Sequence, residues 1–431
     1  MGRLPSTAVG SARDGTIFRI DARIRASSAA ARADGRSPPS ATETSLTQQR
    51  IPAMYLRGGT SKGVFFLDTD LPAACDERDR WLLRVLGSPD RYGKQIDGMG
   101  GGTSSTSKVV IVARSTRPDA DVDFLFGAVS IDRAVIDWSG NCGNLSAAVG
   151  PFAIHRGLVR VPESGPAVLR IWQANIGKHI LATVPIEAGV VREDGDFVLD
   201  GVAFPAAEVQ LEFIDPGAEE GPGGRGGLFP TGRVLDRLDV PGSAPIEATL
   251  IDSGIPMIVV DASVLGLSGT ELQADVNANR DLLARAEALR AHGALAMGLV
   301  ERAEHATSRR PHSPKIAFVA PPTSYVASDG RRIDREQIDL LARAFSMGPL
   351  HHAMPGTAAV ALATAAAIPG TLVHRVARGG VAGRIRLGHP SGTLAIGAQV
   401  RRDGERWVVT RVVVSRSARR LMEGWVFLPQ G

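Results

Sequence analysis

Apolar positions along the chain fall into short runs separated by clusters of Gly, Ser and Thr. Residues 64–67 and 109–113 are runs of this kind and predict buried strands. Residues 78–86 instead space Trp81, Leu82, Val85 and Leu86 along one helical face. The Ala-rich stretch 145–154 predicts a helix in spite of Pro151. Farther on, residues 257–260 and 316–319 predict strands, and 272–299 predicts one long helix with a Glu, Arg and Ala face. Residues 338–345 predict a helix, and a second Ala-rich helix begins near Pro355. The tail predicts strands at 393–396, 407–414 and 424–428. Residues 217–227 and the basic stretch 309–313 predict loops. The whole is a mixed α/β pattern.

Two of these helices begin alike. Asn141-Cys142-Gly143-Asn144 opens the first Ala-rich helix, and Met354-Pro355-Gly356-Thr357 opens the second. Two glycine turns feeding two small-residue helices suggest two related halves. Residues 1–50 show no periodicity and are rich in Ala, Arg, Ser and Thr. They predict a disordered or non-native extension, although a transit peptide would share the bias.

Charge narrows the function. The sequence pI is about 9.4, but residues 1–50 carry eight Arg and four acids. The remainder is balanced, which argues against nucleic acid as a partner, because such binding needs a basic face. With 431 residues, two or three domains are expected. Only two cysteines occur, Cys75 and Cys142, so a reducing, cytoplasmic compartment is expected and a disulfide framework is not. No apolar run is long enough for a membrane span.

Four loops carry candidate chemistry. In Trp138-Ser139-Gly140-Asn141-Cys142-Gly143-Asn144, a cysteine sits in a turn before a helix, where the dipole favours a thiolate and free N–H groups can hold a carboxylate. Asn144 is the expected N-cap. Cys75, among Ala and charged residues, is expected to be structural or incidental. The loop from Gly98 to Lys108 offers glycines and hydroxyls, including Thr106 and Ser107, to an anion. It is neither a Walker loop nor a dinucleotide fingerprint. Lys108 ends this loop, and on the residues alone a solvated strand-end lysine competes with a catalytic one. Arg57-Gly58-Gly59-Thr60-Ser61-Lys62-Gly63 is a hydroxyl-rich cationic turn or an ordinary hairpin. Gly388-His389-Pro390-Ser391-Gly392-Thr393 offers a general acid/base histidine or a structural one. His351-His352 lacks the accompanying ligands of a zinc site, so no metal is expected. No serine-hydrolase elbow is present.

Together these motifs, with Leu350-His-His-Ala-Met, resemble the PrpF family of methylaconitate cis-trans isomerases, from about Ile51 to the C-terminus. The resemblance implies a diaminopimelate epimerase-like fold: two similar α/β domains facing a central cleft, here 51–186 plus about 412–431, and 187–411. It implies Lys108 and Cys142 as the catalytic pair and a small tricarboxylate as substrate, with no cofactor. Propionate catabolism through the methylcitrate cycle is the implied setting. Arg57, Thr60, Ser61, Thr106, Ser107, Asn141, Gly143, Asn144, Met354, His389, Ser391 and Gly392 are the implied substrate contacts. Met354 is expected where the epimerases carry a second cysteine. A second copy of the chain is left open as a partner. The alternatives are a 4-oxalomesaconate tautomerase and, in another class, a catalytically silent carboxylate-binding protein.

Overall fold

The computed structural model describes residues 48–220, 226–378 and 383–429. The extension expected before residue 48, and residues 221–225 of the expected glycine loop, lie outside these. Gln49 and Arg50, expected in the extension, instead open the first strand and pair with Leu428 and Phe427.

Strands dominate. β1 (Gln49–Gly58) and β2 (Ser61–Leu67) form a hairpin, β2 runs parallel to β3 (Lys108–Arg114), and β3 pairs antiparallel with β4 (Val122–Val129). β5 (Ile136–Asp137) and β6 (Gly165–Gln173) join β4. β7 (Lys178–Glu187) then links β6 to β8 (Val190–Val191) and β9 (Glu208–Ile214). The second series repeats this plan. β10 (Asp236–Leu238), β11 (Ile246–Asp252) and β12 (Pro256–Asp261) are antiparallel, and β12 runs parallel to β13 (Lys315–Ala320). β14 (Tyr325–Val326) and β15 (Arg332–Ile333) form a separate small hairpin. β16 (Leu340–Ala344) connects β13 to β17 (Arg384–His389), followed by β18 (Gly392–Asp403) and β19 (Arg406–Leu428). β19 also pairs with β9 and with β1, which closes the first series into a ring.

Helices fill and cover these strands: α1 (Cys75–Leu86), α2 (Ser146–His155), α3 (Gln273–Ala278), α4 (Arg280–Ala296), α5 (Ala303–Arg309), α6 (Gly356–Ala366) and α7 (Leu372–Val376). α2 and α6 are apolar nearly all round, which suits helices enclosed by sheet. α2 packs Ala148, Val149 and Phe152 among Phe65, Val110 and Phe124, and α6 packs Val360 and Leu362 in the same core with Val259 and Ala317. The opposite strand faces are covered too. Val64, Phe66 and Val109 lie against Leu82, Val85 and Leu86 of α1. Ile258, Ile316 and Phe318 lie against Leu282, Ala286 and Leu289 of α4. Phe152 is fully buried, its ring 5.5 Å from that of Phe65. Phe152→Ala is expected to cost about 3–5 kcal/mol, seen as a lower urea midpoint at unchanged slope.

Three elements differ from the pattern's expectation. Residues 338–345 hold no helix: Leu340–Ala344 form β16, and every β16 residue is buried between β13 and β17. A strand covered on both faces shows no polar alternation, and Leu-Leu-Ala-Arg-Ala has helix propensity that packing overrides. The long helix 272–299 is broken at Asn279, whose side chain accepts from the Leu282 N–H and starts α4 afresh. The strands expected at 407–414 and 424–428 are one strand, β19, because it passes from β18 to β9 and β1 without leaving the sheet. Among the described residues no helix is long and apolar enough to cross a membrane.

Candidate active site

Cys142 builds the first turn of α2. Its carbonyl accepts from the Ser146 N–H at 3.0 Å, and its Sγ accepts from the Leu145 N–H at 3.5 Å. These contacts cap the turn that leads into α2, whose helical residues begin at Ser146. Asn144, expected in that role, turns away: Nδ2 donates to Thr60 Oγ1 at 2.9 Å and Oδ1 accepts from Arg416 Nε at 3.1 Å.

The start of α6 meets the start of α2. A Cβ on Gly143 would lie 2.8 Å from the Gly356 carbonyl carbon, and one on Gly356 would lie 2.5 Å from that of Gly143. Only glycine lets the two backbones approach so closely. The contact is reciprocal, so Gly143 and Gly356 are counterparts, and the residue opposite Cys142 is Pro355. Met354, expected there, is buried in the core and offers its carbonyl to Asn144 Nδ2 at 3.4 Å.

Between the helix starts lies a small cleft whose walls include Ser61, Lys108, Asn141, Cys142, Gly143 and Asn144. These six were expected from sequence. The second half adds His312, Lys315, Ser346, His351 and Pro355 to Thr357. Lys108 is 4% exposed and places Nζ 5.2 Å from the Phe126 ring centre. Burial pushes its pKa down, against the pull of Cys142. Lys315 is 3% exposed and donates to Ser346 Oγ at 3.2 Å. Burial first, then repulsion from Lys108, lowers its pKa to about 7. Arg416 of β19 is buried beside them, and burial lowers its pKa to about 10. His312 and His351 are held neutral, primarily by burial. His312 Nε2 lies 3.2 Å from the Asn141 carbonyl, which fits a donating N–H there.

The cavity carries an excess of positive charge. Among the described residues, Lys108, Lys315 and Arg416 form no ion pair with an acidic side chain. Asp137, the buried acid nearby, is committed to the Ser139 N–H and hydroxyl and to the His312 N–H. An anion entering the cavity meets no acidic competitor for these basic groups. The Asn141 side chain is fully buried, and neither amide atom has a partner among the described residues.

The PrpF protein family model matches residues 48–429. The chain belongs to the PrpF family. It is 58% identical over 393 residues to a 2-methyl-aconitate isomerase of Cupriavidus necator, covering 90% of this chain and 99% of that one. A crystal structure of methylitaconate-delta-isomerase superposes with a TM-score of 0.69 at 39% identity, covering 89% of this chain and 96% of that one. A hydroxyproline epimerase shares the fold at a TM-score of 0.50 and 14% identity, covering 88% of this chain and 93% of that one. The chain is thus a PrpF-family isomerase with an epimerase-like fold.

The other expected residues of this PrpF protein form a collar around the cavity or lie apart from its walls. Arg57 donates to the Gly59 and Ser417 carbonyls and ties the β1–β2 turn to β19. Thr60 supports Asn144. Thr106 bonds within its loop to Thr103, and Ser107 donates to Gln95 Oε1 at 2.6 Å, which orders the loop behind Lys108. His389 is buried, its pKa lowered to about 3, and its Nδ1 accepts from the Ser391 N–H, so it is a structural acceptor. Ser391 donates to the His352 carbonyl at 2.6 Å. Gly392 packs so closely on Asp200 that a side chain would not fit. The expected basic loop at 309–313 is buried from Pro311 on. The His351 and His352 rings stack 4.6 Å apart. Among the described residues no group of three His, Cys, Asp or Glu is placed to hold a metal. Lys315 was missed, though one signal existed: Ser313-Pro314-Lys315-Ile316 opens a strand much as Ser107-Lys108-Val109 does.

Proposed function

We propose that this isomerase interconverts cis and trans forms of 2-methylaconitate by an allylic proton shift. The observation that carries the reading is the placement of Lys108 and Cys142 on the wall of one cavity whose buried cations lack acidic partners. A tricarboxylate supplies the missing anions. Full-length 58% identity to a 2-methyl-aconitate isomerase supports the choice of substrate.

The chemistry is proton transfer. Lys108, its ammonium disfavoured by burial, takes a proton from the CH₂ carbon next to the double bond. The C–H electron pair spreads over the allylic carbons and the adjacent carboxylate. Rotation about the former double bond becomes possible, and a proton returns to carbon from Cys142 or from Lys108. N–H groups at the start of α2 and the Asn141 amide suit the developing carboxylate charge. The same reading pairs residues 51–186 and about 412–431 as one half and 187–411 as the other, except that β8 and β9 (Val190–Val191 and Glu208–Ile214) complete the ring of the first half. It sets the reaction in propionate catabolism in the cytoplasm.

The test is turnover of 2-methylaconitate, trans-aconitate and 4-oxalomesaconate side by side in D₂O, followed by NMR. Preferred conversion of 2-methylaconitate with deuterium entering the allylic carbon is expected. Preference for 4-oxalomesaconate would overturn the substrate. Binding of all three without conversion or exchange would overturn the activity.

A further inference from the structure

The two strand series place lysines at equivalent points. Lys108 is the first residue of β3, which runs parallel to β2 of the preceding hairpin. Lys315 is the first residue of β13, which runs parallel to β12 of the preceding hairpin. Each strand then pairs antiparallel with the next, β4 or β16. Both lysines are buried and line the same cavity. The cysteine has no such counterpart, since Pro355 stands opposite it. The site is therefore symmetric in its amines and asymmetric in its thiol.

We propose that Lys315 is a further catalytic residue, holding as an ammonium the substrate carboxylate that takes up negative charge when Lys108 removes the proton. The assignment rests on the allylic-isomerase reading above. Lys315 keeps its proton throughout. Lys108 receives the carbon-bound proton, and the electron pair passes into the allyl-carboxylate system. Cys142 or Lys108 returns a proton to carbon, and in the former case the Lys108 ammonium reprotonates the thiolate.

The surroundings separate the two amines by role. Lys315 Nζ is fixed by its hydrogen bond to Ser346 Oγ, whereas Lys108 Nζ lies over the Phe126 ring with no hydrogen-bond partner among the described residues and can reach toward the reacting carbon. Lys315 is faced by Lys108 of β3, Cys142 before α2, Asp137 of β5, Arg290 of α4, His312 before β13 and His351 after β16. The two histidines are neutral, and Asp137 is bonded elsewhere. An entering carboxylate is then the strongest anion that Lys315 meets, and it raises the lysine's proton affinity.

The experiment uses tricarballylate, a saturated tricarboxylate, in calorimetry at pH 8 in two buffers of different ionisation enthalpy. Wild type is expected to take up protons on binding, because the amine is largely neutral before binding, with a pKa of about 7. Lys315→Met is expected to take up about one fewer proton. It is also expected to lose about 10²–10³-fold in kcat on 2-methylaconitate, more than it gains in KM. Unchanged proton uptake in Lys315→Met, or kcat within threefold of wild type, overturns the proposal. Should Lys315→Met not fold, Lys315→Arg replaces it. The arginine variant is expected to move to higher pH the alkaline fall in kcat/KM that the wild type shows as Lys315 deprotonates, and a fall at the wild-type pH overturns the proposal. Calorimetry needs no turnover, so a wild type that converts nothing fails the isomerase reading separately.

Discussion

Cys142→Ser is expected to lose about 10²–10⁴-fold in kcat while folding as stably as the wild type. Serine is a good N-cap, so its hydroxyl can take over the Leu145 N–H that the thiol sulfur now accepts. Cys142→Ala removes both the cap and the reactive group, and should lose a further 0.5–2 kcal/mol, roughly, of stability. The pair thus separates chemistry from helix capping. Lys108→Met should lose at least as much and should abolish deuterium entry into the allylic carbon, whereas in Cys142→Ser deuterium entry should fall in step with turnover. A Cys142→Ser enzyme of full activity would remove the cysteine from the mechanism.

Gly143→Ala and Gly356→Ala are expected to damage stability and turnover together. The added methyl would meet backbone, not a flexible side chain: Gly356 and Thr357 for the first, Gly143 and Asn144 for the second. The two helix starts would have to separate, at a cost of about 1–3 kcal/mol. They carry Cys142 and Asn141 on one side and Pro355 to Thr357 on the other, so the cavity would widen. A displacement of about 1 Å at reacting groups can cost on the order of 10²-fold in rate. Gly424→Ala is the control, because nothing lies within 4 Å of its Cβ and it is distant in sequence from both turns. Urea unfolding and kcat measured on all three decide the matter. Wild-type values for Gly143→Ala would show that the helix starts need not touch.

The match between expectation and structure follows from where the information lies. α1, α2 and α6 were legible because Trp81, Leu82 and Val85, or an unbroken Ala-rich run, encode a helix locally. β16 was not, since a strand buried on both faces has the composition of a buried helix. Capping misled in a similar way. Asn144 has the right side chain for an N-cap, but Arg416 and Thr60, remote in sequence, claim it.

Sequence by itself singled out the candidate pair, Lys108 only through its family resemblance. Cys142 stands in a glycine turn before a helix, and Lys108 closes a glycine and hydroxyl loop, both within motifs long enough to mark the family. Tertiary structure alone decided which charges count. Lys315 sits in strand-like sequence as an ordinary cation, and only burial against the other half makes it a basic group on the wall of the cavity without an acidic partner. It also decided that Pro355, not Met354, faces Cys142, because that depends on which glycines touch across the two helix starts. The physical reason is common to both. A side chain's chemistry is local, but its solvation and its partners are set by residues far away in the chain.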